Sequence, residues 1–211
     1  MRNRTSIDRA SLQTFQAPGV FTRIETSVKA GLSLMPEVLD RINGCASFCY
    51  TLGRDPLGEG KLSGAELVGR RTFLRAALAE YASMEDAAVV DFDALDRGER
   101  PAMRDSLDGR IHVVRLLRHA NIHLASTRLS HTCRGAAWDG PLGRQDFQHL
   151  VILGDQLPEA IAATRDAKHH YDSSDLAAMT DWLVAEQQQW GLNHVILRSA
   201  EMYAHELLSA V

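Results

Sequence analysis

The chain has 211 residues, 45% of them hydrophobic, with a net charge of −4 and a sequence pI of about 6.1. That length suits one domain with a real core, and the acidic balance excludes a polycation that coats nucleic acid over its whole surface. No stretch approaches the roughly 18 to 20 apolar residues that span a bilayer, and the polar start "MRNRTSIDRASLQTFQ" lacks the apolar centre of a signal peptide, so the expected location is the cytoplasm, with no membrane partner.

Residues 1–27 show no sustained period and are read as an unassigned arm. A helix is predicted over "MPEVLDRINGCASFCYTL" from Pro36, because a first-turn proline loses no hydrogen bond. It places Cys45 and Cys49 on one face. With Cys133 they form neither a zinc spacing nor a disulfide framework, and they read as small buried residues of a reducing compartment. "GRDPLGEGK" is a loop. The next helix, "SGAELVGRRTFLRAALAEYASMEDAAVVDF", opens on a capping box, Ser63 with Glu66, and repeats Leu67, Leu74, Leu78, Tyr81 and Met84 at helical spacing. "DALDRGERPAM" ends it. A second long helix is predicted from about Asp105 to Ser130, then a loop over "HTCRGAAWDGPLGRQ", then a short strand or helical turn near 147–153. Pro158 starts another helix through about His169. Ser173 or Ser174 caps "DLAAMTDWLVAEQQQW", Gly191 interrupts, and "NHVILRSAEMYAHELLSA" closes the chain as a helix, with Trp182, Leu183, Val195, Ile196 and Tyr203 at core spacings. The expected class is all-α, an antiparallel helical bundle forming one domain over 1–211, with its C-terminal helices in 140–211.

The second long helix carries the most distinctive pattern. At about 100° per residue from Arg115, the residues Ser126, His119, His112 and His123 fall within about 80° on one side, and Arg118 lies about 60° to the other. Leu116, Ala120, Val113, Leu124, Leu117 and Val114 take the opposite side and are the expected core face. His112, Arg115, Arg118, His119 and His123 are therefore predicted as a polar stripe outside the core, with Ile122 as an apolar member inside it. An ordinary solvated face mixes acids with bases, yet no Asp or Glu occurs from Ile111 to Ser130.

Histidine with arginine and no carboxylate is the equipment that phosphodiester transfer by an RNA 2′-hydroxyl requires. A histidine of near-neutral pKa moves the proton, and an arginine holds the phosphate and stabilises charge growing on its oxygens. The chain has 20 Arg against 3 Lys, so only particular arginines can carry that reading. On residue chemistry alone a solvated face, a metal pair and a phosphate-handling site all stay open.

The segment "RHANIH", Arg118 to His123, resembles the motif of arginine, four to six residues, then histidine that marks the HEPN (higher eukaryotes and prokaryotes nucleotide-binding) superfamily of helical RNases, found in toxin–antitoxin, abortive-infection and CRISPR effector proteins. Members often carry Asn, Asp or His directly after the arginine, as His119 does here, and the helix "FLRAALAEYASMEDA" looks like the long helix that precedes the family's motif. The resemblance covers about 30–130 and implies a metal-independent endoribonuclease, of toxin or antiviral-defence type, acting on single-stranded RNA. By that resemblance Arg118 binds and polarises the scissile phosphate, His123 is the general acid or base, and His119 or Asn121 orients the pair or the phosphate. Arg115 and His112 match no family position and stand as candidates for substrate contact. No cofactor is expected. RNA, a second copy of the chain and an antitoxin or regulatory protein are the expected partners.

Two other readings compete. His119 and His123 form an HxxxH pair about 40° apart that could bind zinc or iron, with His169, His170, His194 or His205 completing the site, although no Glu accompanies the pair as it does in HExxH. The chain could instead be a binding or regulatory module without chemistry. Among Glu80, Glu85 and Asp86, at most one is expected to serve the site. Arg118 and His123 leave one helix about 140° apart and about 7.5 Å apart along its axis, so a two-fold dimer, with Ile122 at the axis, is expected to gather two copies of each around one groove.

Overall fold

The computed structural model describes residues 5–15, 24–53, 64–123, 129–136, 145–152 and 157–211. Eight α-helices run in the order α1 (Thr26–Gly31), α2 (Pro36–Gly53), α3 (Gly64–Ala94), α4 (Gly109–His123), α5 (Leu157–Ala162), α6 (Arg165–His170), α7 (Ser173–Trp190) and α8 (Leu192–Ala210), with strands β1 (Leu129–Ala136) and β2 (Gln145–Ile152) between α4 and α5. The architecture is all-α with one appended hairpin. None of the described helices is long and apolar enough to cross a membrane.

α8 lies at the centre, touching α1, α2, α3, α4, α7 and β2. Val195, Ile196, Leu197, Ala200, Tyr203, Ala204 and Leu207 are all fully enclosed, so this helix is wrapped rather than laid on a surface. α2 and α3 form an antiparallel pair, since Val38, Arg41 and Leu52 meet Asp91, Glu80 and Arg70 in reverse order. Leu74, Leu78, Tyr81 and Met84 of α3 are buried at the predicted spacing, and Cys45 and Cys49 face inward from α2. The predicted box of Ser63 and Glu66, the Leu67 side chain and the loop that precedes them lie outside the described residues.

The start of α2 is capped from another helix. Asp91 of α3, 2% exposed, accepts from the backbone N–H groups of Glu37 (3.2 Å) and Val38 (2.8 Å). Both donors belong to the first turn, which has no intrahelical acceptors, and the carboxylate also complements the positive end of the helix dipole.

Several boundaries differ from the sequence expectation. α4 is described through His123, and Leu129–Ala136, read as helix end and loop, is a strand paired antiparallel with Gln145–Ile152 from Leu129↔Ile152 to Ala136↔Gln145. A two-stranded hairpin is marginal by itself. This one is tied to α7 by Gln187, whose Oε1 accepts from Ile152 N–H at 2.9 Å while its Nε2 donates to Ile152 O at 2.9 Å. The single helix expected from Pro158 breaks at Thr164, whose hydroxyl caps α6 by accepting from Ala167 N–H at 3.2 Å. Asp172, not Ser173 or Ser174, caps α7, accepting from Asp175 N–H at 2.8 Å. Gly191 joins α7 to α8 at φ 85°, a value open to glycine and costly for other residues.

Part of the arm left unassigned by the sequence is docked on the C-terminal helices. Arg9 pairs with Asp175 at 2.7 Å. Phe15 is buried edge-on to Trp182, with ring centroids 5.5 Å apart, and its N–H donates to Glu186 at 2.8 Å. Trp182, Leu183, Val195, Ile196 and Tyr203 are all buried, as their spacings require.

Replacing Asp91 by Ala leaves two buried-end donors without their acceptor and is expected to lower urea-unfolding stability by about 2 kcal/mol, measured by equilibrium circular dichroism. Gln187→Ala acts more locally. Exchange of the Ile152 amide should become much faster by hydrogen-exchange mass spectrometry, while amides in α8 keep their protection.

Candidate functional site

α4 enters the fold deeper than its sequence suggests. Ile111, His112, Val113, Val114, Leu116, Leu117 and Ala120 are all buried, so its first two turns are enclosed all round and the polar stripe begins only at Arg115. His112 is the correction. It was expected on the exposed stripe and is 0% exposed, because α4 opens between the Met103–Asp105 turn, the N-terminal segment and the end of α6. Its Nε2 lies 2.8 Å from the carbonyl of Ser106 and its Nδ1 2.6 Å from the hydroxyl of Tyr171. A carbonyl only accepts, so Nε2 carries the proton and Nδ1 accepts from Tyr171, which fixes one neutral tautomer. Burial, aided by Arg115, lowers the His112 pKa against the opposing pull of the Ser106 carbonyl, and burial pushes Tyr171 up to about 12.

Beyond His112 the charged groups follow in sequence along the helix. Arg115 Nη2 stands 2.7 Å from Oδ2 of Asp166, and the same oxygen is 3.4 Å from Nε2 of His119. Asp166 sits in the first turn of α6, held there by the Thr164 cap. That oxygen has no hydrogen-bond partner among the described residues, so it meets Arg115 as an ion pair. The Arg115 charge also acts on the Tyr171 hydroxyl, opposing the rise that burial causes.

Arg118 faces a different side of the helix. Its Nε is buried without an acceptor, and among the described residues it has no ion pair. With Arg115 and His119 it lines a cleft of about 220 Å³ whose other wall is Ala82, Ser83, Glu85 and Asp86 of α3 and Met103. Glu85 is held by Arg100 at 3.7 Å, while Asp86 is exposed. Glu80 is turned to α2, where it pairs with Arg41 at 3.1 Å. Two of the three candidate acids therefore line the cleft, one more than expected. The helix has no acid of its own after Asp108, yet the fold supplies carboxylates from α3 and α6.

The backbone of α4 extends through His123, but the side chains of Asn121, Ile122 and His123 lie outside the described residues, as do Leu124 and Ser126. Of the histidines considered as metal ligands, His194 is buried between Phe15 and Trp190, with centroids 5.7 and 5.9 Å away. His205 lines a separate cleft with Pro101 and Glu206. Among the described residues no three His, Cys, Asp or Glu side chains are grouped to hold a metal ion. Cys49 is no candidate nucleophile, since its hydrogen bond with Cys45 and its burial both raise the thiol pKa. Neither Asp166 nor Tyr171 was singled out from the sequence. Each is an ordinary residue on another element, without a motif to mark it.

The chain matches no protein-family model, no curated protein and no solved structure.

The neutral His112 sets a pH dependence of stability. Its folded pKa is below the ordinary 6.5, so between the two values the unfolded chain binds more protons. Its contribution is present above about pH 6.5 and is lost as pH falls toward the folded value. Glu186, Glu201 and Glu206 have raised carboxyl pKa values, chiefly from burial, and contribute with the opposite sign. They are common to wild type and His112→Gln, so they cancel in the difference. The urea midpoint of wild type should fall relative to the variant between pH 7.5 and pH 5. A constant difference across that range would show that His112 does not stay neutral in the folded chain.

Proposed function

We propose that the chain is a metal-independent endoribonuclease of HEPN type, acting on single-stranded RNA as a toxin or defence enzyme and working as a homodimer. The observation that carries this reading is Arg118: a guanidinium with an unsatisfied buried Nε, opening onto a cleft beside His119 and Arg115. An arginine fork without a carboxylate partner is suited to a phosphate, which it can grip through two parallel N–H groups. Arg118 then holds the scissile phosphate and stabilises charge growing on its oxygens. His123, four residues beyond His119, moves a proton for the 2′-hydroxyl. RNA supplies its own nucleophile, so the expected products are a 2′,3′-cyclic phosphate and a free 5′-hydroxyl, and DNA resists. A second copy of α4 across a two-fold axis would gather the arginines and histidines of both chains around one groove.

The test is cleavage of an end-labelled single-stranded RNA in EDTA, with light scattering to fix the oligomeric state. Arg118→Ala is expected to lower the rate by about a hundredfold or more, and His123→Ala by a comparable factor, with helicity and melting temperature nearly unchanged. Cleavage that disappears in EDTA and returns with zinc would favour the HxxxH metal site instead. A purified protein that binds RNA but leaves it intact would be a binding module.

A further inference from the structure

We infer that Asp166 is the positioning residue of this site and that it makes His119 the general acid of the cleavage step, an inference that rests on the ribonuclease reading above. Transesterification moves two protons. As the 2′-oxygen bonds to phosphorus, its proton must go to a base. As the bond from phosphorus to the 5′-oxygen breaks, that oxygen must receive a proton. One histidine cannot do both in a single step. His119 and His123 are four residues, about one helical turn, apart in the backbone of α4. His119 has the Asp166 carboxylate against it.

Asp166 Oδ2 is 3.4 Å from His119 Nε2 and 2.7 Å from Arg115 Nη2. The carboxylate therefore stands between the Arg115 guanidinium and the imidazole. A carboxylate at this distance favours the imidazolium. Among the described residues the charged groups that share the cleft of His119 are Arg115 and Arg118 on α4 and Glu85 and Asp86 on α3, and Asp166 on α6 stands beside it. The carboxylate in contact with His119 is that of Asp166, at 3.4 Å. A histidine kept protonated is the donor. His119 gives its proton to the departing 5′-oxygen while His123 takes the 2′-hydroxyl proton, and exchange with solvent afterwards returns both to their starting states. Atoms and charge balance without any co-reactant.

Two measurements on the full chain test this separately from the nuclease reading. In a proton NMR titration, with the resonance assigned by its absence in His119→Ala, the His119 midpoint should lie above the ordinary 6.5 and should fall by about one pH unit in Asp166→Asn. The His205 midpoint should not move. If Asp166→Asn fails to fold, Asp166→Ser gives the same readout. An unmoved His119 midpoint overturns the role of Asp166, whatever the protein does to RNA. The second measurement uses an RNA with sulfur in place of the bridging 5′-oxygen at the scissile linkage, because a thiolate departs without a proton. His119→Ala should lose about a hundredfold on ordinary RNA and come within about tenfold of wild type on the sulfur substrate, while His123→Ala stays slow on both. Failure of the sulfur to rescue His119→Ala overturns the acid assignment. If wild type cleaves neither substrate the nuclease reading falls, and the titration still decides whether Asp166 governs His119.

Discussion

The enclosure of α8 is the constraint on which the rest of the structure depends. A helix buried from His194 through Glu201 without a break must be covered on every side, and the other elements are the cover. It also carries polar groups inward at a cost that each must recover locally. Arg198 is met by Glu201 on the same helix and by Glu25 just before α1, and Glu201 in turn accepts from Glu25 N–H at 2.7 Å. Ser106 donates to Glu206 at 2.6 Å, which ties the approach to α4 onto α8. The helix that ends the sequence is therefore the one against which α4 and its chemistry are registered.

That registration explains the form of the candidate site. Because the start of α4 is packed against α8, the N-terminal segment and the end of α6, its described polar stripe emerges only from Arg115 onward. The cationic groups that emerge there are met by acids from other elements. Arg115 is paired with Asp166, whereas Arg118 has a buried Nε with no acceptor among the described residues. Two arginines three residues apart thus have opposite states. Among the described residues only the first has a carboxylate partner. A protein of net charge −4 presents an anion with this small cationic opening rather than a broad basic field, so affinity for a phosphate backbone would come from a few directed contacts and less from long-range attraction.

His112 shows how the interior reaches this surface. Its two ring nitrogens are fully used between Ser106 and Tyr171. Such a network is costly if any member is missing. It fixes the orientation of α4 about its own axis more tightly than apolar contacts alone would, because hydrogen bonds are directional and apolar contacts are not.

The amino-acid sequence by itself determined the helical class, the start of α2 at Pro36, the break at Gly191, the buried repeat of Leu74, Leu78, Tyr81 and Met84, and the gathering of arginine and histidine on α4. These follow from local rules: period, first-turn chemistry and the backbone freedom of glycine act within a few residues of their cause. Only the tertiary structure decided that His112 is a core residue, that Asp166 and Glu85 approach a stripe with no acid of its own, that Asp91 caps a helix more than fifty residues before it, and that Leu129–Ala136 is a strand. A periodicity gives the side of a helix but not how much of its circumference the neighbours cover, and a strand exists only through the partner it pairs with. Each of these outcomes depends on residues far apart in the chain, and no window along the sequence contains both halves of the contact.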